Sequence, residues 1–536
     1  MSGERLRRDP LFVVGLTVCA IGLVLRLWIL GRSPLNSDEA FVALMAREIL
    51  RGHFFVFLWG QHYGGGEFYV VAGLFALLGQ SRLVFGLAPV LLDAVAAVLV
   101  WRIGRRLFDG RVGALAAVMF WIWPADYLYQ STIEYGFRYL ALVCGLAVVL
   151  FALRASSPRT SRVYDWSVLG FFCGLGWWCT PEITYFVLPA LALIGYRVVR
   201  RGLRPPLPAL VAGGASALLG ALPWLLVNLS HGFVSLKNPT PLTLSAWGQH
   251  VGVFFHYVLP MVLGLRLPGS GAWLDPGAAG LALYVGVAAV LVAWSVVLVR
   301  RRRARLLVAF VVLFPFLYGL PSYAWYWSDG RYALYLAPVL ALLVASSLVA
   351  VGRRSKPYLR AVPLLGLTIA LVATMAATVR LGPLVPLGPG GAARSSWAVW
   401  RPDPDLWQQP LIAALRRSDQ RYVYTGYWIS YTLDFEAHGL VLASDPGNCR
   451  YAPYLTRIFQ SADPAWVFPR PTCEKALDFA DDSPPGLIGQ GWTLRDFETY
   501  LDSEGVRYRT EDAGYFTIVY PSRSVSPTIV WRPPPG

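Results

Sequence analysis

Residues 11–30 (LFVVGLTVCAIGLVLRLWIL) run for 20 residues with one charge, Arg26. A helix of about that length crosses a hydrocarbon core roughly 30 Å thick. In lipid every backbone N–H and C=O must be matched within the segment, so such a run can only be a helix. Its apolar core is too long for a signal peptide, and no small-x-small cleavage site follows, so it reads as a retained first span. Ten further apolar stretches lie near 84–101, 112–125, 139–153, 166–180, 183–198, 208–226, 278–299, 306–320, 332–350 and 361–379. They account for a composition that is 56% apolar and only 15% charged, against about 25% charged in soluble proteins. A single soluble domain and a disordered chain are both excluded.

The net charge of +16 invites a nucleic-acid reading, but the charge is not distributed that way. Residues 381–536 hold 14 Lys+Arg against 17 Asp+Glu. The basic excess therefore sits among the apolar spans. It falls in alternate loops: Arg102/Arg105/Arg106/Arg111, Arg154/Arg159/Arg162, Arg197/Arg200/Arg201/Arg204, Arg300–Arg303 with Arg305, and Arg353/Arg354/Lys356/Arg360. With the basic N-terminus these make six segments that face the cytoplasm under the positive-inside rule. Eleven spans then place the N-terminus inside and the C-terminus outside a plasma membrane. Membrane lipids, not nucleic acid, are the expected partners of this charge.

The expected architecture is a polytopic α-helical membrane domain over 1–380, with a large first outward loop at 31–83, and an extracytoplasmic α/β domain over 381–536. Glu67–Gly79 is apolar but short, and reads as a helix on the outer membrane surface. Gly382–Gly391 is a Gly/Pro-rich linker by composition. Beyond it, helices are expected at Leu406–Arg417, Trp428–Ala437 and Thr493–Ser503. Strands are expected at Arg421–Thr425, Leu440–Ala443, Val506–Thr510 and Tyr515–Tyr520. Cys449 and Cys473 are the outer domain's two cysteines, and an oxidising exterior permits but does not require their pairing. No Cys/His cluster has zinc-site spacing and no glycine-rich phosphate loop follows a strand.

Acids on the outward side are the natural search set for chemistry. Asp38-Glu39 stands in Asn36-Ser37-Asp38-Glu39-Ala40, ahead of a short amphipathic helix at Phe41–Leu50. Asn36 or Ser37 suits the cap of that helix, and acids in its first turn suit the dipole. Asp126 and Glu134 lie in the second outward segment, where Glu134 and Arg138 have the i,i+4 spacing of a helical ion pair. Glu182, after Pro181, reads as a helix-start acid. His62, beside Tyr63 and Glu67, is the histidine best placed to touch a sugar or acceptor. Asp93 falls inside a span, where an acid needs either a function or a partner on a neighbouring helix. Trp325-Tyr326-Trp327 fits an interfacial belt as readily as a sugar-stacking platform.

Several of these segments together resemble the membrane glycosyltransferases of the GT-C type, family 39 group, which includes protein O-mannosyltransferases and the lipid A aminoarabinose transferase. The resemblance rests on Asp38-Glu39-Ala40 followed by Met45–Leu50, on Gly60-Gln61-His62-Tyr63-Gly64-Gly65 leading into Phe68–Leu78, and on Trp101–Phe108. It rests also on Gly330-Arg331-Tyr332 with Pro338 and on Gly426-Tyr427-Trp428-Ile429-Ser430-Tyr431. It spans most of the chain through short motifs, closest to uncharacterised bacterial members. The Pro-rich stretch that follows the first-loop Asp in the aminoarabinose transferase is replaced here by Gly64-Gly65-Gly66-Glu67, so the acceptor does not carry over.

The resemblance implies a donor sugar on a polyprenyl phosphate, an acceptor hydroxyl of unknown origin, and inversion at the anomeric carbon. Asp38 then matches the general base, with Glu39 as the second, positioning acid of the catalytic pair. Arg331 matches the phosphate contact, suited to bidentate binding; snorkelling to headgroups, or pairing with Asp329, is the alternative. Glu134, Asp126, His62, Tyr63, Glu67, Arg138 and Tyr332 complete the expected substrate-binding set. No cofactor is required; outward acids leave room for a divalent metal, though no ligand spacing demands one. Two other readings of the chain are a transporter or flippase of a lipid-linked sugar and a non-catalytic envelope-assembly subunit.

Overall fold

The structure, a computed structural model, describes residues 10–32, 35–157, 162–237, 242–266, 273, 278–300, 304–321, 324, 330–354, 361–381, 408–470, 488 and 491–532. They form two compact units. The first takes in residues 1–29, 63–67 and 86–380, and the second residues 30–62, 68–85 and 381–536. Most of the first outward loop thus groups with the C-terminal residues.

Every named element among the described residues of the first unit is a helix, and each expected apolar stretch coincides with one. Among the described residues six helices, Val13–Gly31, Arg82–Leu107, Arg138–Ala155, Pro181–Arg201, Ala279–Arg300 and Gly330–Arg353, are long and apolar enough to span a membrane. A seventh span is made if Leu207–Gly220 and Leu222–Ser230, bent by 64° at their junction, count as one. The described residues thus do not confirm the count of eleven. Gly110–Ile122 has 13 residues and Arg305–Tyr318 has 14. At about 1.5 Å per residue such helices reach only about 20 Å, short of the roughly 30 Å core. Pro223 follows the bend at Ala221, and Pro315 sits inside helix Arg305–Tyr318 near its end.

Helices Val163–Cys179 and Leu207–Gly220 approach unusually closely. A Cβ on Gly170 would stand 1.9 Å from the Gly213 carbonyl oxygen, and one on Gly174 would stand 2.0 Å from that of Ala217. Gly170/Gly174 facing Gly213/Ala217 is a small-xxx-small seam, which packs membrane helices where water drives nothing. Asp93 has its partner. Its carboxylate lies 2.7 Å from Arg26, both side chains fully buried, and takes a hydrogen bond from the Tyr127 hydroxyl. Arg26 also donates to Ser131 Oγ at 2.8 Å and to the Trp121 carbonyl at 2.8 Å. The charges that interrupt two apolar stretches therefore balance each other.

The second unit holds a five-stranded sheet: β1 (Tyr422–Thr425), β2 (Leu442–Ser444), β3 (Ala465–Pro469), β4 (Tyr508–Ala513) and β5 (Phe516–Pro521), in the order β2-β1-β3-β5-β4. β1 pairs in parallel with β2 and β3, while β5 is antiparallel to β3 and β4. The period-two alternation of strands sorts the side chains. Tyr424, Trp466 and Val519 form a cross-strand row on one face, packed with Phe497 and Leu501. Val423, Val467 and Ile518 face the other way, against Leu411, Leu415, Ile429 and Leu433. The expected helices and strands are found within a few residues, Leu406–Arg417 from Gln409 onward. Helix Ala452–Phe459 and strand β3 were not expected. β3 is buried at every residue, so it lacks the alternation that marks a strand. Cys473 and the linker lie outside the described residues.

Helix Ser37–Leu50 belongs to this unit and packs on helix Tyr427–Glu436. It was expected to be amphipathic from Phe41, but twelve of its residues are buried, on every face. Arg47 is accommodated by donating to the Phe435 carbonyl at 3.1 Å and lying 4.1 Å over the Phe435 ring.

Candidate functional site

In the second unit the chemistry gathers at the N-terminus of helix Ser37–Leu50. Asn36 caps it. Its side chain accepts the Glu39 N–H at 2.9 Å, and Glu39 Oε2 accepts the Asn36 N–H at 3.3 Å, a reciprocal capping box. Glu39 is thereby buried in a structural role. Asp38, one residue earlier, takes no part in the cap and stays partly exposed. Its Oδ1 accepts the Tyr427 hydroxyl at 2.6 Å.

Tyr427 opens the helix after β1 and is itself held from several sides. Its N–H donates to Asp445 Oδ2 at 2.9 Å, and its carbonyl accepts Ser37 Oγ at 2.6 Å. The Arg450 guanidinium lies 5.2 Å from its ring. Burial, and then the Asp38 charge, push the Tyr427 hydroxyl well above its ordinary range, so it donates and does not ionise. Thr425, Ser444 and Asp445 mark the carboxyl ends of parallel strands β1 and β2, the edge at which open α/β sheets bind ligands. Here that edge receives the Asp38 turn. Two segments singled out in the sequence, Asn36–Ala40 and Gly426–Tyr431, thus meet. His62, also in this unit, is exposed.

The first unit brings together Tyr63, Glu67, Asp126, Glu134, Arg138, Arg331 and Tyr332. Arg138, the first residue of its helix, donates to Glu182 Oε2 at 2.8 Å, with both side chains buried. Tyr335 donates to the same oxygen at 2.9 Å. The i,i+4 spacing of Glu134 and Arg138 does not lie on one helix. The helix begins at Arg138, so Glu134 is not on it. Glu134 Oε1 accepts the Gly136 N–H at 2.7 Å. Glu67 Oε2 accepts the N–H groups of Tyr139 and Leu140, each at 2.9 Å.

Arg331 is partly buried, 5.4 Å from the Tyr135 ring and 5.2 Å from that of Tyr332. Arg138 lies 4.5 Å from the Tyr332 ring and 5.7 Å from Tyr135. The two tyrosines therefore lie against both guanidiniums. Asp126 is pressed against Gly330, where a Cβ would stand 2.0 Å from its Oδ2, so a side chain before Arg331 would have to displace the Asp126 carboxylate. Gln130 links Asp126 to this group, donating to Asp126 Oδ1 at 3.5 Å and accepting the Tyr135 hydroxyl. Tyr63 is 39% exposed, edge-on to Phe137 at 5.8 Å.

Asp329 and Trp325–Trp327 lie outside the described residues. Among the described residues no group of three His, Cys, Asp or Glu side chains is placed to hold a metal ion. Sequence reasoning missed Tyr427 and Tyr335 as partners of acids, and passed over Glu182 as a helix-start acid. The resemblance marked the Gly426–Tyr431 segment, but nothing in it said which acid Tyr427 would meet.

Residues 66–226 match the dolichyl-phosphate-mannose-protein mannosyltransferase family. The undecaprenyl phosphate-alpha-4-amino-4-deoxy-L-arabinose arabinosyl transferase of Pseudomonas aeruginosa (strain UCBPP-PA14) is 27% identical over 416 residues, 70% of this chain and 69% of that protein. The transferase of the same name from Edwardsiella ictaluri is 26% identical over 275 residues, 46% of each chain. In fold, the chain is similar to ArnT from Cupriavidus metallidurans bound to undecaprenyl phosphate, with a TM-score of 0.59 and 13% identity over 95% of this chain and 97% of that one. The apo form of the same protein gives a TM-score of 0.60. These findings bear out the resemblance to GT-C type membrane glycosyltransferases of the family 39 group, and with it the enzyme class.

Proposed function

We propose that this GT-C type glycosyltransferase moves a sugar from a polyprenyl-phosphate donor to an acceptor hydroxyl on the outer face of the cytoplasmic membrane. The relatives' names specify undecaprenyl phosphate as the carrier of their sugar, and that carrier class is the part of their chemistry inferred for this chain. The proposed topology has the N-terminus inside and residues 381–536 outside, from the alternation of basic loops.

One observation carries the mechanistic reading: Asp38 is partly exposed while one of its oxygens is fixed by Tyr427. A carboxylate held in this way is oriented yet still reachable. The acceptor oxygen bonds to the anomeric carbon from the face opposite the phosphate, and the hydroxyl proton passes to Asp38. The bond from the anomeric carbon to the phosphate oxygen breaks, and polyprenyl phosphate leaves with the electron pair. A positioned base of this kind contributes about 10²–10⁴ in rate. Arg331 receives the phosphate charge, with Tyr135 and Tyr332 setting the plane of its guanidinium. Arg138 has Glu182 as its counter-charge and serves that arrangement instead of contacting the donor. Tyr63 and His62 are proposed as sugar or acceptor contacts from their exposure.

The test uses purified protein in nanodiscs with a panel of radiolabelled polyprenyl-phosphate sugars and a crude envelope acceptor. Consumption of one donor, with its label moved to the acceptor, is the expected result. Binding across the panel with no consumption would replace this reading with transport or an assembly role.

A further inference from the structure

Helix Ala125–Gln130 has six residues and starts after Pro124 without a side-chain cap. Helices this short are marginal by themselves, so its rotation has to be set from outside. Tyr127 and Ser131 stand four residues apart and share one side of it. Asp126 and Gln130, also four apart, form the neighbouring row. The two rows meet different partners. The Tyr127 hydroxyl donates to Asp93 Oδ1, and Ser131 Oγ accepts Arg26 Nε at 2.8 Å. Asp126 lies against Gly330, the residue before Arg331. Gln130 donates to Asp126 Oδ1 at 3.5 Å and accepts the hydroxyl of Tyr135, whose ring is 5.4 Å from the Arg331 guanidinium.

Charge balance accounts for one part of this. An arginine buried in the first span needs a counter-charge, and Asp93 at 2.7 Å supplies it. It does not account for where the other bonds go. The guanidinium is held at all three nitrogens: Nη2 on Asp93, Nε on Ser131, and Nη1 on the Trp121 carbonyl at 2.8 Å and the Gly22 carbonyl at 3.3 Å. It also lies 3.8 Å over the Trp121 ring. Beyond Asp93 and its own helix, Arg26 therefore grips residues 121 and 131, on either side of the short helix, while the second oxygen of Asp93 takes Tyr127 between them. Both side chains are fully buried, so water does not compete for these bonds. A planar fork fixes orientation where a point charge would not.

We propose that Arg26 and Asp93 are positioning residues for the donor site. Through Tyr127 and Ser131 they fix the rotation of helix Ala125–Gln130, and so place Asp126, Gln130 and Tyr135 around Arg331 for a phosphate-bearing lipid. The second step rests on the proposed role of Arg331; the first does not.

Two variants in nanodiscs test this. Tyr127→Phe removes one hydroxyl and leaves the Arg26–Asp93 pair. Arg26→Lys keeps the charge and removes the fork; Ser131→Ala takes its place if that variant does not fold. Hydrogen exchange read by mass spectrometry should speed up over residues 125–135 in both, with helix Arg138–Ala155 exchanging as in wild type. Unchanged exchange over 125–135, or equal acceleration in both segments, would overturn the first step. Wild-type exchange and affinity in R26K would reduce the pair to charge balance and overturn the proposal. Titration with sugar-free polyprenyl phosphate reads the second step. Y127F should raise Kd by about two- to tenfold, the range of one hydrogen bond, and should add nothing further in an Arg331→Ala background. Additive losses, or a wild-type Kd in Y127F while R331A binds more weakly, would overturn the second step. Faster exchange over 125–135 with a wild-type Kd in R331A would support the first step and overturn the phosphate reading of Arg331.

Discussion

Asp38 in the second unit and Glu67 in the first both stand in the first turn of a helix, yet their oxygens are committed differently. Glu67 gives one oxygen to two backbone N–H groups and is fully buried. Asp38 leaves the capping to Asn36 and Glu39, takes one hydroxyl from Tyr427, and stays partly exposed. An acid sealed by backbone donors holds structure together. A proton acceptor for an incoming hydroxyl needs orientation from one side and access from the other. By that measure the second unit carries the proposed base, and the acids of the first unit keep the surroundings of its arginines in place.

The comparison can be broken most forcefully at the Arg138–Glu182 pair. Replacing Glu182 with Gln removes the buried carboxylate that faces the Arg138 guanidinium at 2.8 Å, and removing one partner of such a pair costs about 3–5 kcal/mol. Thermal unfolding in detergent should show a large drop in Tm. A Tm equal to wild type would mean that the pair is not structural. Arg331→Ala should leave the fold intact and weaken the phosphate-bearing donor by about 1.5–3 kcal/mol, the loss of a charged hydrogen bond. Donor titration should show the change in Kd, while kcat at saturation stays near wild type. Tyr427→Phe is the mildest change. It removes one hydroxyl and keeps the ring, and should lower kcat by about tenfold, equivalent to about 1.4 kcal/mol, with donor Kd unchanged. If Kd moves and kcat does not, Tyr427 supports binding instead of the base.

How much of this was legible in the sequence depended on whether the determining contact is local. The helical segments of the membrane unit were readable because twenty-residue apolar runs have few other solutions in lipid. Their lengths were less so, since a bend such as that at Ala221 depends on how the helices pack. A cap at Asn36 or Ser37 was readable from the sequence, and the structure places it at Asn36. The Glu182 partner of Arg138 was not legible, because it lies 44 positions away in another element, and the i,i+4 spacing to Glu134 carries no weight when the helix starts at Arg138. β3 was hidden because both of its faces are buried. The Tyr427–Asp38 contact joins residues 389 positions apart. No periodicity reports a contact at that distance; only the fold of the second unit brings the two together.

The most direct measurement compares Asp38→Asn with Glu67→Gln in one nanodisc preparation, recording donor Kd and kcat for each at neutral pH. The account predicts that D38N binds donor like wild type and loses about 10²–10⁴ in turnover, while E67Q keeps both. Wild-type turnover in D38N, or a turnover loss in E67Q as deep as that in D38N, would contradict the division between a reachable base and sealed, positioning acids.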